Sequence, residues 1–173
     1  SPFFWHPKDK HQFGQLQTKV IEIQRRSPAI TAHYSHDAPR GPKAIKKADT
    51  QIEKSPEEWT AAIKKFGLSH EADLVGIAPM DPLYVFEGYE LDIPWVIVFG
   101  VSMDHEELKK VPPSLKRPDS AAEVARQYNR AARVCREVKN HILSQGFSAE
   151  AWAGPFASAL NMVPAAIQAG IGT

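Results

Sequence analysis

The side chains of this chain that could do chemistry are one Tyr on a patterned helix, a single Cys, two spaced histidines, a short acidic run and a Gly pair near the end. Tyr128 lies in a stretch where Ala121, Val124, Tyr128, Ala131, Cys135, Val138 and Ile142 recur at every third or fourth position, which is one face of a helix. That spacing turns Tyr128 inward and leaves Arg126, Arg130, Arg133, Arg136 and Lys139 on a solvated face. A phenol carries its proton at neutral pH and can serve as a general acid. On pattern alone, though, an aromatic on an apolar stripe is a core residue whose hydroxyl finds one partner. Cys135 shares the stripe and reads as a buried, inert thiol; a lone Cys excludes an internal disulfide and cannot by itself hold zinc or an iron–sulfur cluster.

The remaining candidates read as structure. His33 and His36 have a helical metal-ligand spacing, but Pro39, Gly41 and Pro42 follow at once with no third ligand near, so a loop is the simpler reading and no metal site is assigned. In Asp104-His105-Glu106-Glu107 the Asp is a good N-cap and the acids suit the first turn of a helix, which accounts for the run without a metal or acid–base cluster. Gly170-Ile171-Gly172 follows a helix, not a strand, and lacks the third glycine of a dinucleotide fingerprint. No nucleophile elbow, P-loop or zinc spacing occurs.

The elements that must position these residues are legible from caps and periodicity. Ser120-Ala121-Ala122-Glu123 forms a capping box ahead of the Tyr128 helix, and Gly146 fits the left-handed position that ends it. Phe147 to Trp152 alternates as a returning strand. Ser55-Pro56-Glu57-Glu58 is a second capping box, opening a helix whose apolar face is Trp59, Ala62, Ile63 and Phe66, up to Gly67. Ala72–Ala78 and Pro94–Met103 are apolar runs that read as strands covered on both faces, the centre of a sheet. Between them Asp81 to Asp92, with Tyr84, Phe86 and Tyr89, is a hairpin or a loop over a pocket. Val111–Asp119 is a proline-rich connection, Pro155–Asn161 a loop of small residues, and Pro164–Ala169 a short helix ending at Gly170. Before Asp49 the prolines allow only a short helix over Phe13–Arg25, and Phe3, Phe4 and Trp5 anchor an irregular arm.

With 173 residues and 43% hydrophobic content, the chain suits one α/β core plus an arm. Residues 1–50 form that N-terminal arm and 51–173 the domain proper. A net charge of +1 gives no general reason to bind a polyanion, so the locally basic Arg25, Arg26, Arg40, Lys43, Lys46 and Lys47 read as solvated surface and no nucleic acid is expected. No apolar run approaches a membrane span and no secretion signal is evident, which points to a cytoplasmic protein, with a processed exported form as the alternative. The chain opens at Ser1 without Met and stops in a Gly-rich turn, so a piece of a longer polypeptide is expected.

Four blocks, ADLVGIA from Ala72, WVIVFGVSMD from Trp95, QYNRAARVCREVKNHILSQGFSAEA from Gln127 and VPAAIQAGIG from Val163, occur in an order and spacing that resembles the corrinoid-dependent reductive dehalogenases. The resemblance spans about residues 56 to 173, and the wider group includes epoxyqueuosine reductase. It implies a nitroreductase-like α/β (α+β) core that holds cobalamin, incomplete in this chain, followed beyond Thr173 by a ferredoxin-like module with two 4Fe–4S clusters. It also implies an organohalide substrate, aromatic for preference, and an electron donor such as a ferredoxin, a flavodoxin or a reductase domain. The Tyr that these enzymes use as proton donor beside cobalt corresponds to Tyr128, with its basic partner and the cluster ligands beyond Thr173. Many respiratory members carry an Asn where this chain has Ala157. Asn161, Met162, Val163, Pro164 and Gly170, in a stretch of small and apolar residues, are the expected cofactor contacts. The alternatives within and outside the group are a tRNA-modifying reductase and a non-catalytic corrinoid-binding or electron-transfer accessory module.

Overall fold

Leu74–Pro79 (β1) and Trp95–Gly100 (β2) pair antiparallel in a two-stranded sheet. Val75 stands opposite Phe99 and Ile77 opposite Ile97 on one face, with Gly76 opposite Val98 and Ala78 opposite Val96 on the other. The structure, a computed structural model, describes residues 26–34, 41–111, 114, 116–152 and 159–172, together with positions 15, 18 and 22. The helices whose bounds are defined among them are α1 (Pro28–Tyr34), α2 (Pro56–Ser69), α3 (His105–Leu108), α4 (Asp119–Ser144) and α5 (Met162–Gln168). The chain is therefore mixed α/β. It divides into two units, Ser1–Pro39 with Met103–Arg126, and Arg40–Ser102 with Gln127–Thr173.

In the second unit the sheet is covered on both faces, as its apolar runs require. Val75, Ile77, Ile97 and Phe99 pack with Ile63 and Phe66 of α2 and with Val134, Val138 and Ile142 of α4. Ala78, Val96 and Val98 pack on the other side with Tyr84, Leu160 and Ala165. The segment between the strands is the connection of a hairpin, with a 3-10 turn at Pro82–Tyr84 and an antiparallel bridge from Val85 to Leu160. Gly76 is fixed by close approach, since a Cβ there would lie 2.6 Å from the Ala169 Cβ.

The caps behave as the sequence dictates in α2 and α3. Ser55 accepts the Glu58 N–H while the Glu58 carboxylate accepts the Ser55 N–H, a complete capping box with Pro56 in the first turn. The Asp104 carboxylate accepts from Glu106 and Glu107 at the start of α3. Helices α4 and α5 both end in glycine caps. The N–H groups of Gly146 and Phe147 reach back to Leu143 and Ile142, and those of Gly170 and Ile171 to Ile167 and Ala166. These are Schellman pairings, with φ of 86° at Gly146 and 74° at Gly170.

Three expectations give way. Helix α4 starts at Asp119 instead of after Ser120, because the Pro118 carbonyl already accepts the Ala122 N–H; Ser120 is then inside the first turn, buried, with no described partner for its hydroxyl. Glu123, 1% exposed, turns from the cap to accept the Asp104 N–H at 2.8 Å and pair with Arg126. Phe147–Trp152 is not a strand: β1 and β2 take each other as partners, and residues 147–152 join no ladder. Finally, α1 forms where a loop was expected around His33, since Ser27-Pro28 starts a helix as Ser55-Pro56 does, with Ser27 O accepting from Ile30 and Thr31. Ile30 of α1, fully buried, packs on Ala121, Ala122 and Ala125 in the first unit. The described positions Gln15, Thr18, Glu22 and Arg26 are helical; Phe3, Phe4, Trp5, His36 and Ala157 lie outside the described residues.

Candidate functional site

Tyr128 does not point inward. The residue is 38% exposed, while Gln127, Asn129, Val134, Val138 and Leu143 take the buried positions of α4 in that unit. The periodicity misled because the arginine side of the helix is covered too. Arg130 donates to the Asp73 carboxylate at 2.8 Å, and Arg133 grips Glu71 side-on through Nε and Nη2, both at 2.7 Å, so neither guanidinium lies on a solvated face. Asp73 also accepts from the Ser102 N–H at 2.6 Å and hydroxyl at 2.7 Å. These donors, the Arg130 guanidinium first, hold its carboxyl far below the usual carboxylate range. Arg133 lowers Glu71 by the same route and is itself raised. Glu71 is held at φ 71°, the only non-glycine residue with positive φ among those described.

Five expected contacts, Asn161, Met162, Val163, Pro164 and Gly170, come together on α5 and its ends. Asn161 is the N-cap, its side chain accepting the Val163 N–H and its own N–H donating to Tyr84 O at 2.7 Å. Met162 packs inward against the Ala78–Leu160 core, whereas Val163 is 67% and Ile167 48% exposed. A Cβ at Gly170 would meet nothing within 4 Å. Among the described residues, Val163 and Ile167 of α5 are thus left uncovered next to the Gly170 turn. Among the described residues no hydrogen bond or core contact joins Tyr128 to α5; both belong to the second unit.

Cys135 is half-buried, with its Sγ 3.9 Å from Trp152 O, and burial pushes the thiol up to about 11, the signature of an inert group. No group of three potential ligands gathers among the described residues, and no helix there is long and apolar enough to cross a membrane.

Sequence reasoning missed a stack of three rings: Phe66 lies between His70, at 3.9 Å between centroids, and His141, at 4.1 Å, both within 15° of parallel. The i,i+4 spacing of Phe66 and His70 was a signal for half of it. Compared with known proteins, the chain matches no family model and no curated sequence.

Proposed function

We propose that this chain is the N-terminal and front-core part of a cobalamin- and iron–sulfur-dependent reductive dehalogenase with a nitroreductase-like core, in which Tyr128 donates the proton. The four sequence blocks motivate the reading. The observation that carries it is the face of α5, where exposed Val163 and Ile167 stand four positions apart beside the open Gly170 turn. A broad flat ring needs an apolar wall from which few side chains project, and these residues fit one. Asn161 holds the start of that wall in place through its cap and its bond to Tyr84 O. Cobalamin, when bound, supplies the low-potential metal chemistry that releases halide from an organohalide. Replacing the halogen by hydrogen also consumes a proton, and an accessible phenol on a rigid helix can deliver it.

The test is Tyr128→Phe in the complete enzyme reconstituted with cobalamin and clusters. The ring is already part exposed, so the variant keeps its fold and its cobalamin spectrum while halide release falls on the order of 10²-fold. Normal halide release per folded molecule would end the assignment of Tyr128. Val163→Glu places a charge on the wall and is expected to lose cobalamin on gel filtration; retention of the cofactor would remove the wall.

A further inference from the structure

A shallow, open cleft of about 650 Å³ lies elsewhere in the second unit, lined by Ile52, Glu53, Lys54, Ser55, Glu58, Trp59 and Phe147, none of them a proposed cobalamin contact. Its aromatic floor is a Trp59–Phe147 pair, edge to face at 5.3 Å. The Lys54 ammonium stands 4.2 Å from the Trp59 ring centroid and donates to Gln145 Oε1 at 3.1 Å. A Trp face is the strongest cation–π platform among side chains. Lys54 shows that this one accepts a cation.

We infer that the cleft is a binding site for a small organic ammonium ion, which takes the place of the Lys54 side chain over Trp59. The charge of the lining favours that class: Glu53 and Glu58 against Lys54 leave it net negative, and swinging Lys54 outward leaves two carboxylates beside an aromatic floor. The floor itself is fixed. Ser55 and Glu58 are locked in the α2 capping box, the Ile52 N–H is bonded to Gln145 O, and Phe147 is the residue after the Gly146 cap. Lys54 is held at its tip only by Gln145 Oε1 and the Trp59 ring, on a long stem whose rotatable bonds let the ammonium be displaced. Its contact with Trp59 is worth little at a part-exposed site, so a competing cation loses only about two- to fivefold in affinity to it. The site thus discriminates for methylated or otherwise weakly hydrated ammonium groups, which leave water more readily than a lysine does.

The experiment titrates the full chain with tetramethylammonium chloride and follows the indole N–H resonance of Trp59, assigned by its loss in Trp59→Phe. Sodium chloride at equal ionic strength and neutral tert-butanol are the controls. A saturable shift with tetramethylammonium alone is expected, tightened about two- to fivefold in Lys54→Ala. Glu53→Gln is expected to weaken it. The inference is overturned if the shift does not saturate, if tert-butanol reproduces it, or if Lys54→Ala leaves the affinity unchanged or lower. Lys54 and Glu53 lie outside the core clusters, so the comparison of their variants rests on the wild-type fold, and Trp59→Phe serves only to assign the resonance.

Discussion

Gly146 and Gly170 end their helices with the same backbone bonds and nearly the same φ, yet they differ in what lies beyond the missing Cβ. At Gly170 no described atom comes within 4 Å of it. At Gly146 a Cβ would sit 2.3 Å from Thr50 O, 2.7 Å from Thr50 C and 2.8 Å from Gln51 Cα, far inside van der Waals contact. Thr50 cannot retreat freely, because the Ala48 N–H is bonded to Leu143 O and the Ile52 N–H to Gln145 O on either side of it. Ala at a left-handed position costs roughly 1–2 kcal/mol. Gly170→Ala should lose about that much and no more. Gly146→Ala carries the same dihedral cost and must also push the backbone of residues 48–52 off the helix end, adding about 1–3 kcal/mol. Thermal melts followed by circular dichroism read the difference: for a chain of this size each kcal/mol is about 2–4 °C, so Gly170→Ala should shift the midpoint by ~2–8 °C and Gly146→Ala by ~4–20 °C. Equal shifts would refute the reasoning, since they would mean that the 48–52 segment does not lie against Gly146.

Further outcomes follow from the ionic and aromatic clusters. Asp73→Asn keeps the shape but loses the charge that Arg130 and Ser102 satisfy; this part-exposed site should lose about 1 kcal/mol or less in urea unfolding at pH 7. Because the Asp73 carboxyl is lowered in the folded chain, its contribution is present above the unfolded value near ~3.9 and is lost as pH falls below it, so wild type and Asp73→Asn should converge in strong acid. His141 is also lowered, by burial first and then by Lys54 and His70. The folded chain thus binds fewer protons than the unfolded one, and stability should fall as pH drops below about 6.5. His141→Phe, which keeps the stack on Phe66, should flatten that slope between neutral and mildly acid pH; an unchanged slope would exonerate His141. Under the proposed function, iron and acid-labile sulfide assays on the isolated 173-residue chain should find no cluster, and stoichiometric iron would displace the electron path from its proposed place.

What the sequence determined by itself lies within a few residues of its cause. The Ser55–Glu58 box, the Asp104 cap and the glycine ends at Gly146 and Gly170 form because donor and acceptor are at most five positions apart. The two strands declared themselves because continuous β-branched runs are stable only between two covering layers, and α2 with α4 on one side and Tyr84, Leu160 and Ala165 on the other supply them. Even Pro28–Tyr34 was written in its Ser-Pro start. The tertiary structure decided the rest, and the reason is distance along the chain. Arg130 and Arg133 finish partly buried because carboxylates 57 and 62 positions away neutralise them, a pairing that no helical period encodes. The stripe still holds at Val138 and Ile142, which pack beneath the sheet, but it fails at Tyr128, whose ring turns toward solvent. Glu123 likewise leaves a cap for the Asp104 N–H, 19 positions away, once Pro118 has started the helix. Local rules fix the caps that end α2, α4 and α5 and start α2 and α3; whether a segment finds a strand partner, and which face of a helix is inside, depends on what the rest of the chain brings to it.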